Sequence, residues 1–387
     1  MILSARHAAR PVALLMVGLL MGAIPLSMAV AEPIETDAQR AYILDYQTGA
    51  VLLDKKGDER LPPASMSKLM TIYLLFDALK RGDVKLTDTF HVSKKAWSTQ
   101  GSKMFVELDS NISVEDLIRG IIIQSGNDAC VVVAEGLAGT EEAFAERMTT
   151  KAKEIGLTGS HFVDASGLPD PEQYMTARDL AILAKRLIND FPQYYHYFSE
   201  KEFTWHGIKQ GNRNPLLYRQ GSGVDGLKTG HTEEAGFGLV ASAVRDNRRI
   251  IAVMQGTTSM QNRADSGGAL IDWAFRETAN YTIASKGAVL AEAPVWMGDA
   301  KTVPLTVDKD LIATLPRSAR QKVAAKAVFN GPVEAPVAAG TQIGNLVISV
   351  PGQPDFQAPL VAGADVPRQS LPGRMFAKLQ YLVFGGS

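Results

Sequence analysis

Segments of strand character stand at both ends of a helix-rich middle, and this arrangement constrains the fold more than any other feature of the chain. Ala41-Tyr42-Ile43-Leu44 and Ala50-Val51-Leu52-Leu53 flank the turn-forming stretch Asp45-Tyr46-Gln47-Thr48-Gly49 and read as a hairpin. Helical patterns follow at 65–80, 113–123, 127–137, 141–154 and 176–189. Strands return at 223–232, 236–245 and 249–256, with Asp246-Asn247 as a hairpin turn, and a helix at about 263–279 closes the block. A sheet whose strands come from both ends, with helices between, defines one α+β domain over 36–285. From about 290, valine, alanine, proline and glycine dominate in short runs such as Lys322 to Phe329 and Gln342 to Val350. This reads as a small all-β domain over 290–366, with no catalytic spacing of Ser, His, Asp, Glu or Lys.

The two ends carry their own signals. Arg6, His7 and Arg10 precede an apolar run from Pro11 to Met28, and Ala29-Val30-Ala31 supplies small residues before Glu32. That is the pattern of a cleaved secretory signal peptide, 1–31, so the mature protein is expected outside the cytosol. At the other end, 368–387 reads as an amphipathic helix. Leu371, Met375, Phe376, Leu379, Leu382 and Val383 share one side, with Arg374 and Lys378 at its edge. Such a helix suits an anionic membrane surface. The alternative is a terminal helix docked on the protein's own core.

Composition excludes several classes. Forty basic and 41 acidic side chains leave a formal charge of −1, so no overall basic field exists to hold nucleic acid. The single cysteine, Cys130, forms neither an internal disulfide nor a thiolate cage, and reads as a packing residue. The histidines show no HxH or HExxH spacing, and neither metal nor cofactor is expected.

Three short segments could carry chemistry. In Pro62-Pro63-Ala64-Ser65-Met66-Ser67-Lys68, Ser65 and Lys68 are three apart at a helix start and share one face. A serine hydroxyl becomes a nucleophile when a neighbouring base takes its proton. A lysine can be that base if burial or a second cation lowers its pKa. Alone, the motif fits a capping serine and a solvated lysine equally well. Ser125-Gly126-Asn127 follows Gln124 before a second apolar helix. Ser125 can relay protons, and Asn127 can hold the lysine and bond a substrate amide. Lys228-Thr229-Gly230 lies on a strand. Lys228 would be the second cation, Thr229 could bind a carboxylate, and Gly230 would let a substrate backbone lie against the strand. Together, at a helix start, a loop and a strand, the three are far more specific than any one alone.

With these motifs the chain resembles the low-molecular-mass penicillin-binding proteins, the serine-type D-alanyl-D-alanine carboxypeptidases. Ser-Met-Ser-Lys, Gln-Ser-Gly-Asn-Asp-Ala and Val-Asp-Gly-Leu-Lys-Thr-Gly-His-Thr carry the likeness. It implies a transpeptidase-type α+β domain followed by the all-β domain. It implies acylation at Ser65, with Lys68 as base, and Ser125 and Asn127 assisting proton transfer and binding. Lys228, Thr229 and Gly230 would line the opposite wall, and the backbone amides of Ser65 and His231 would form an oxyanion hole. The implied substrate is a peptidoglycan pentapeptide ending in D-Ala-D-Ala, the implied inhibitors are β-lactams, and the implied place is the periplasmic face of a bacterial inner membrane.

A free D-alanine carboxylate needs a cation, and the arginine fork suits it. Arg263 is the expected anchor, with Arg213 as a supporting charge. His161 and Ser166 are expected to shape a loop over the site. Three other readings compete. An endopeptidase cutting peptide crosslinks shares the chemistry, and the motifs fit it as a side activity. A β-lactamase of class A would carry a Glu-x-x-Leu-Asn segment, which is absent, and aspartate where Gly126 stands. A wall-binding protein without catalysis would be expected to have lost Ser65 or Lys68.

Overall fold

The structure is a computed structural model and describes residues 34–351, 354–373 and 375. The signal segment 1–31 and residues 376–387 of the expected terminal helix lie outside the described residues.

The hairpin β1 (Arg40–Asp45) and β2 (Val51–Lys55) forms one side of a five-stranded sheet. It is followed by α1 (Lys68–Arg81), the short β3 (Thr89–His91), α2 (Lys94–Ser98) and β4 (Asn111–Ser113). Next come α3 (Val114–Ile122), α4 (Asn127–Ala138), α5 (Glu141–Glu154) and α6 (Ala177–Asp190). A small hairpin, β5 (Glu202–Trp205) and β6 (Ile208–Gly211), precedes the long strands β7 (Val224–Thr232), β8 (Gly236–Arg245) and β9 (Arg248–Thr257). The helix α7 (Met260–Glu277) then covers one face of the sheet, packed on β8 and β9. The sheet order is β2-β1-β9-β8-β7, all antiparallel, so strands from both ends of the domain meet at β1–β9. Asp246 and Asn247 turn the β8–β9 hairpin with both φ angles positive, at 49° and 60°, as a two-residue primed turn requires.

The centre of the domain is α1. Leu69, Met70, Ile72, Leu75 and Phe76 are buried around most of its circumference, which is the mark of a helix enclosed by others. It ends at Gly82, whose left-handed backbone returns its N–H to the carbonyls of Ala78 and Leu79. It begins later than its periodicity suggests: Ala64–Ser67 form a 3-10 turn, entered through Ala64 at φ 49°, and regular α-helix starts at Lys68. The helix α7 starts earlier than expected, at Met260, because the Ser259 hydroxyl accepts the Asn262 N–H and caps it.

The second domain is all β. Beyond β10 (Thr278–Ala284), β11 (Ala291–Trp296), β12 (Thr302–Thr306) and β13 (Leu311–Pro316) follow β14 (Ala324–Phe329), β15 (Val333–Glu334), β16 (Gln342–Ser349) and β17 (Phe356–Ala362). Six of these form a sheet in the order β14-β16-β17-β12-β11-β15, and β10 pairs with β13. The seam therefore falls after Glu277: Thr278–Ala284, inside the span expected for the first domain, belongs to the second. The buried Arg248 pins the seam, donating to the carboxylate of Asp45 at 2.8 Å and to the carbonyl and hydroxyl of Thr278, each at 2.7 Å. Arg368 and Gln369, expected at the start of the terminal helix, are instead held by this domain. Arg368 donates to the Ala335 carbonyl and Gln369 to that of Met297, and helical backbone begins at Leu371.

Candidate active site

A groove of about 480 Å³ opens between the start of α1, the loop before α4 and β7, and Ser65, Ser125, Arg213, Thr229, His231 and Arg263 line it. Gly230 also borders it. Lys68 and Lys228 lie beneath, almost wholly sealed from water.

The two lysines hold the two serines. Lys68 Nζ donates to Ser65 Oγ at 2.8 Å and to the Ser166 carbonyl at 2.5 Å. Lys228 Nζ donates to Ser125 Oγ at 3.0 Å and to its neighbour's carbonyl, on Thr229, at 3.3 Å. Among the described residues neither ammonium donates to a carboxylate. Burial lowers the pKa of both lysines, and the nearby charge of Lys68 lowers that of Lys228 further. For Lys68, Arg213 adds to the lowering, while Cys130, Asp164 and Asp128 oppose it. Dry surroundings and crowded cations thus favour a neutral amine beside Ser65, as a general base requires.

Ser125 stands in the left-handed region at φ 59°, a strained conformation for a residue with a side chain, of the kind that costs about 1–3 kcal/mol and collects at functional sites. Its neighbours hold it there: Gly126 N–H bonds the Gly120 carbonyl and Asn127 N–H the Ser102 carbonyl. Gly126 is required because a Cβ would lie 2.7 Å from Asp128 Oδ1 and 2.9 Å from Met104 N.

One expectation changes and another gains a second reason. Asn127 does not hold Lys68: its side-chain N–H goes to the Gln100 carbonyl at 2.8 Å, so it fixes the loop at 100–102. Gly230 borders the groove and also lies against the turn that carries Ser65. A Cβ would point at the turn bearing Ser65, 2.9 Å from the Pro63 carbonyl and 3.2 Å from Ala64 Cβ. The missing side chain lets strand and nucleophile approach.

The arginines sit at one end of the groove. Arg263 occupies the first turn of α7, is 7% exposed, and lies over the Phe237 ring at 5.8 Å. Its Nε has no hydrogen-bond partner among the described residues. Arg213, exposed at the rim, donates to Ser102 Oγ at 2.6 Å.

The motifs alone do not point to Ser102, Phe237 or Met260, which also line the groove. Phe237 is legible from register, since it pairs with His231 across the β7–β8 hairpin and stacks on it at 3.8 Å. Ser102 and Met260 sit in segments with no chemical pattern. Asp128, beside the middle motif, is another silent contributor: its carboxylate accepts the N–H groups of Met104, Phe105 and Val106 and shapes the loop over Asn127. Among the described residues no group of three His, Cys, Asp or Glu is placed to hold a metal ion.

A helix-borne serine and lysine facing a serine loop and a lysine strand define an acyl-serine enzyme of the penicillin-interacting type. The profile of D-alanyl-D-alanine carboxypeptidases matches residues 27–259, and that of the penicillin-binding protein 5 C-terminal domain matches 279–368. The chain is 37% identical over 356 residues to the D-alanyl-D-alanine carboxypeptidase DacA of Escherichia coli K12, covering 90% of this chain and 88% of that one. Penicillin-binding protein 5 from Haemophilus influenzae superposes with a TM-score of 0.78 at 38% identity, over 87% of this chain and 99% of that one. Penicillin-binding protein D2 from Listeria monocytogenes, solved in an ampicillin-bound form, matches with a TM-score of 0.58 at 27% identity, over 63% of this chain and 99% of that one. The chain belongs to the D-alanyl-D-alanine carboxypeptidase family and is a serine-type carboxypeptidase of that class.

Proposed function

We propose that Ser65 is the acylated residue and Lys68 the base that takes its proton, and that this pair removes the terminal D-alanine from peptidoglycan pentapeptides. The observation that carries the reading is the 2.8 Å hydrogen bond between a solvent-sealed lysine and a groove-lining serine. Ser65 Oγ bonds the penultimate D-alanine carbonyl carbon, and the backbone amides of Ser65 and His231 receive the oxyanion. The peptide C–N bond breaks, and the departing amine takes up the proton that Lys68 accepted, relayed through Ser125, whose hydroxyl Lys228 holds. Water then hydrolyses the ester. Thr229, Arg263 and Arg213 receive the terminal carboxylate. A β-lactam would follow the same path, but its tethered leaving nitrogen would obstruct water and leave Ser65 acylated.

The same reading places the enzyme on the periplasmic face of a bacterial inner membrane, exported by 1–31 and held by the segment after Gln369. What supports this is the composition of the two ends and the exposure of Leu371 (69%) and Met375 (74%). Among the described residues no helix is long and apolar enough to cross a membrane.

The test is release of D-alanine from a pentapeptide ending in D-Ala-D-Ala, with a penicillin adduct mapped by mass spectrometry. Wild type should release it and carry the adduct on Ser65. Release by a folded Ser65→Ala protein, or an adduct elsewhere, would refute the assignment.

A further inference from the structure

The carbonyl that grips Lys68 belongs to Ser166, on a loop whose shape depends on one carboxylate. Asp164 Oδ1 accepts the N–H groups of Ser166 at 2.5 Å and Gly167 at 2.6 Å, and the Ser166 hydroxyl at 3.0 Å. Its other oxygen accepts Gln173 Nε2 at 2.8 Å, and Gln173 Oε1 in turn accepts the N–H groups of Val163 and Asp164. The loop so formed is docked on α1 at consecutive carbonyls: Thr71 donates to Ala165, and Lys68 to Ser166. Contact is tight, since a Cβ on Gly167 would fall 2.0 Å from the Ala64 carbonyl, next to the nucleophile.

We propose that Asp164 is a positioning residue for acylation: its carboxylate bends 164–167 so that the Ser166 carbonyl reaches Lys68 and holds the amine against Ser65. This inference rests on the reading of Lys68 as the base. Asp164 also acts through its charge. The charged and titratable groups around Lys68 are Cys130 and Asp128 of α4, Lys228 of β7, Arg213 at the groove rim and Asp164 itself. Asp164 in turn has Glu141 of α5 nearby, whose carboxylate accepts the Ala165 N–H and pairs with Lys95 of α2. An anion near Lys68 favours its charged, non-basic form, and a carbonyl acceptor does the same. Removing the charge of Asp164 should therefore make Lys68 neutral at lower pH.

The test is the pH profile of Ser65 acylation by a chromogenic β-lactam, with thermal melting alongside. Asp164→Asn keeps an oxygen for the Ser166 and Gly167 amides and removes the charge, so its acid limb should move to lower pH. Asp164→Ala also releases the loop, and its acylation should slow by about ten- to a hundred-fold. If the alanine variant does not fold, the near-isosteric asparagine variant decides. An acid limb unchanged in Asp164→Asn would overturn the proposal, and a lowered melting temperature with a wild-type profile would make Asp164 merely structural. Wild-type adduct on Ser65 and an inert Lys68→Ala protein, obtained in the same experiment, separate that failure from failure of the base assignment. Normal acylation by Lys68→Ala would sink both.

Discussion

Lys228 Nζ lies 3.0 Å from Ser125 Oγ, on the wall facing the Lys68–Ser65 pair, so Ser65 and Ser125 each have their own lysine. The arrangement places two ammonium groups in one dry volume, where burial first and then the charge of Lys68 lower the pKa of Lys228. Removing Lys228 leaves Lys68 with one like charge fewer, so Lys68 should keep its proton to higher pH. Lys228→Ala is expected to acylate more slowly at neutral pH, with its acid limb moved upward. Stopped-flow acylation across pH would show this, and an unmoved limb would mean that Lys228 acts only on Ser125 or substrate.

Burying Lys68 costs stability, and the sign of its pH dependence follows. Its pKa is lower folded than unfolded, so the unfolded chain binds more protons between the two values, and stability from this group rises with pH through that window. Lys68→Met should be inactive but more stable by about 0.5–2 kcal/mol, with the gain larger at acid pH than at alkaline pH. Denaturant melts at two pH values test it. A uniform loss at both would indicate that the hydrogen bonds to Ser65 and Ser166 outweigh desolvation.

Arg263 presents a buried guanidinium to the groove end, which suits a terminal carboxylate. Arg263→Ala should lose about ten- to a hundred-fold on peptides ending in a free carboxylate and much less on amidated ones, from a charge-assisted hydrogen bond contributing roughly 1.5–3 kcal/mol. Paired kcat/KM values decide, and equal losses on both substrates would leave Arg263 a structural part.

Gly230→Ala should be damaging without touching any reacting atom. The added methyl would meet Pro63 and Ala64 across the strand–turn contact. Overpacking of this kind costs about 1–3 kcal/mol, and the displaced turn carries Ser65. Both melting temperature and acylation rate should fall together. A stable variant with normal acylation would show that the turn has room to shift.

A chain ending at Ser370 keeps the Arg368 and Gln369 contacts to the second domain. It should remain in solution with unchanged activity on small peptides. The full chain should bind anionic vesicles and release them in high salt. Vesicle binding by the shortened chain would place the anchor elsewhere.

Much of this was legible in the sequence because its signals are local. The paired Asp246-Asn247 turn, the apolar periodicity of α3 and α6 and the three motifs each speak for a few adjacent residues. What escaped depends on contacts between distant segments. Thr278–Ala284 reads as the tail of the first domain until its pairing with Leu311–Pro316 makes it a strand of the second. The second reason for Gly230 is the Pro63 carbonyl, which no local pattern displays. The motif at Asn127 suggests a substrate contact, but not the amide N–H that ties the Gln100 carbonyl and fixes the loop there. The work of Asp164 becomes visible only once its loop is seen on α1.

The pairing of β1 with β9 has a consequence for how the enzyme comes into being. Residues 40–45 find their partners at 250–255, so the sheet cannot close until nearly the whole domain has been synthesised. Pairings this distant in sequence make folding slow. Lys228, on β7, and Arg263, on α7, are also late arrivals. A growing chain therefore holds Ser65 for some two hundred residues without the walls that would arm it, and reactivity appears only when the last strand zips in.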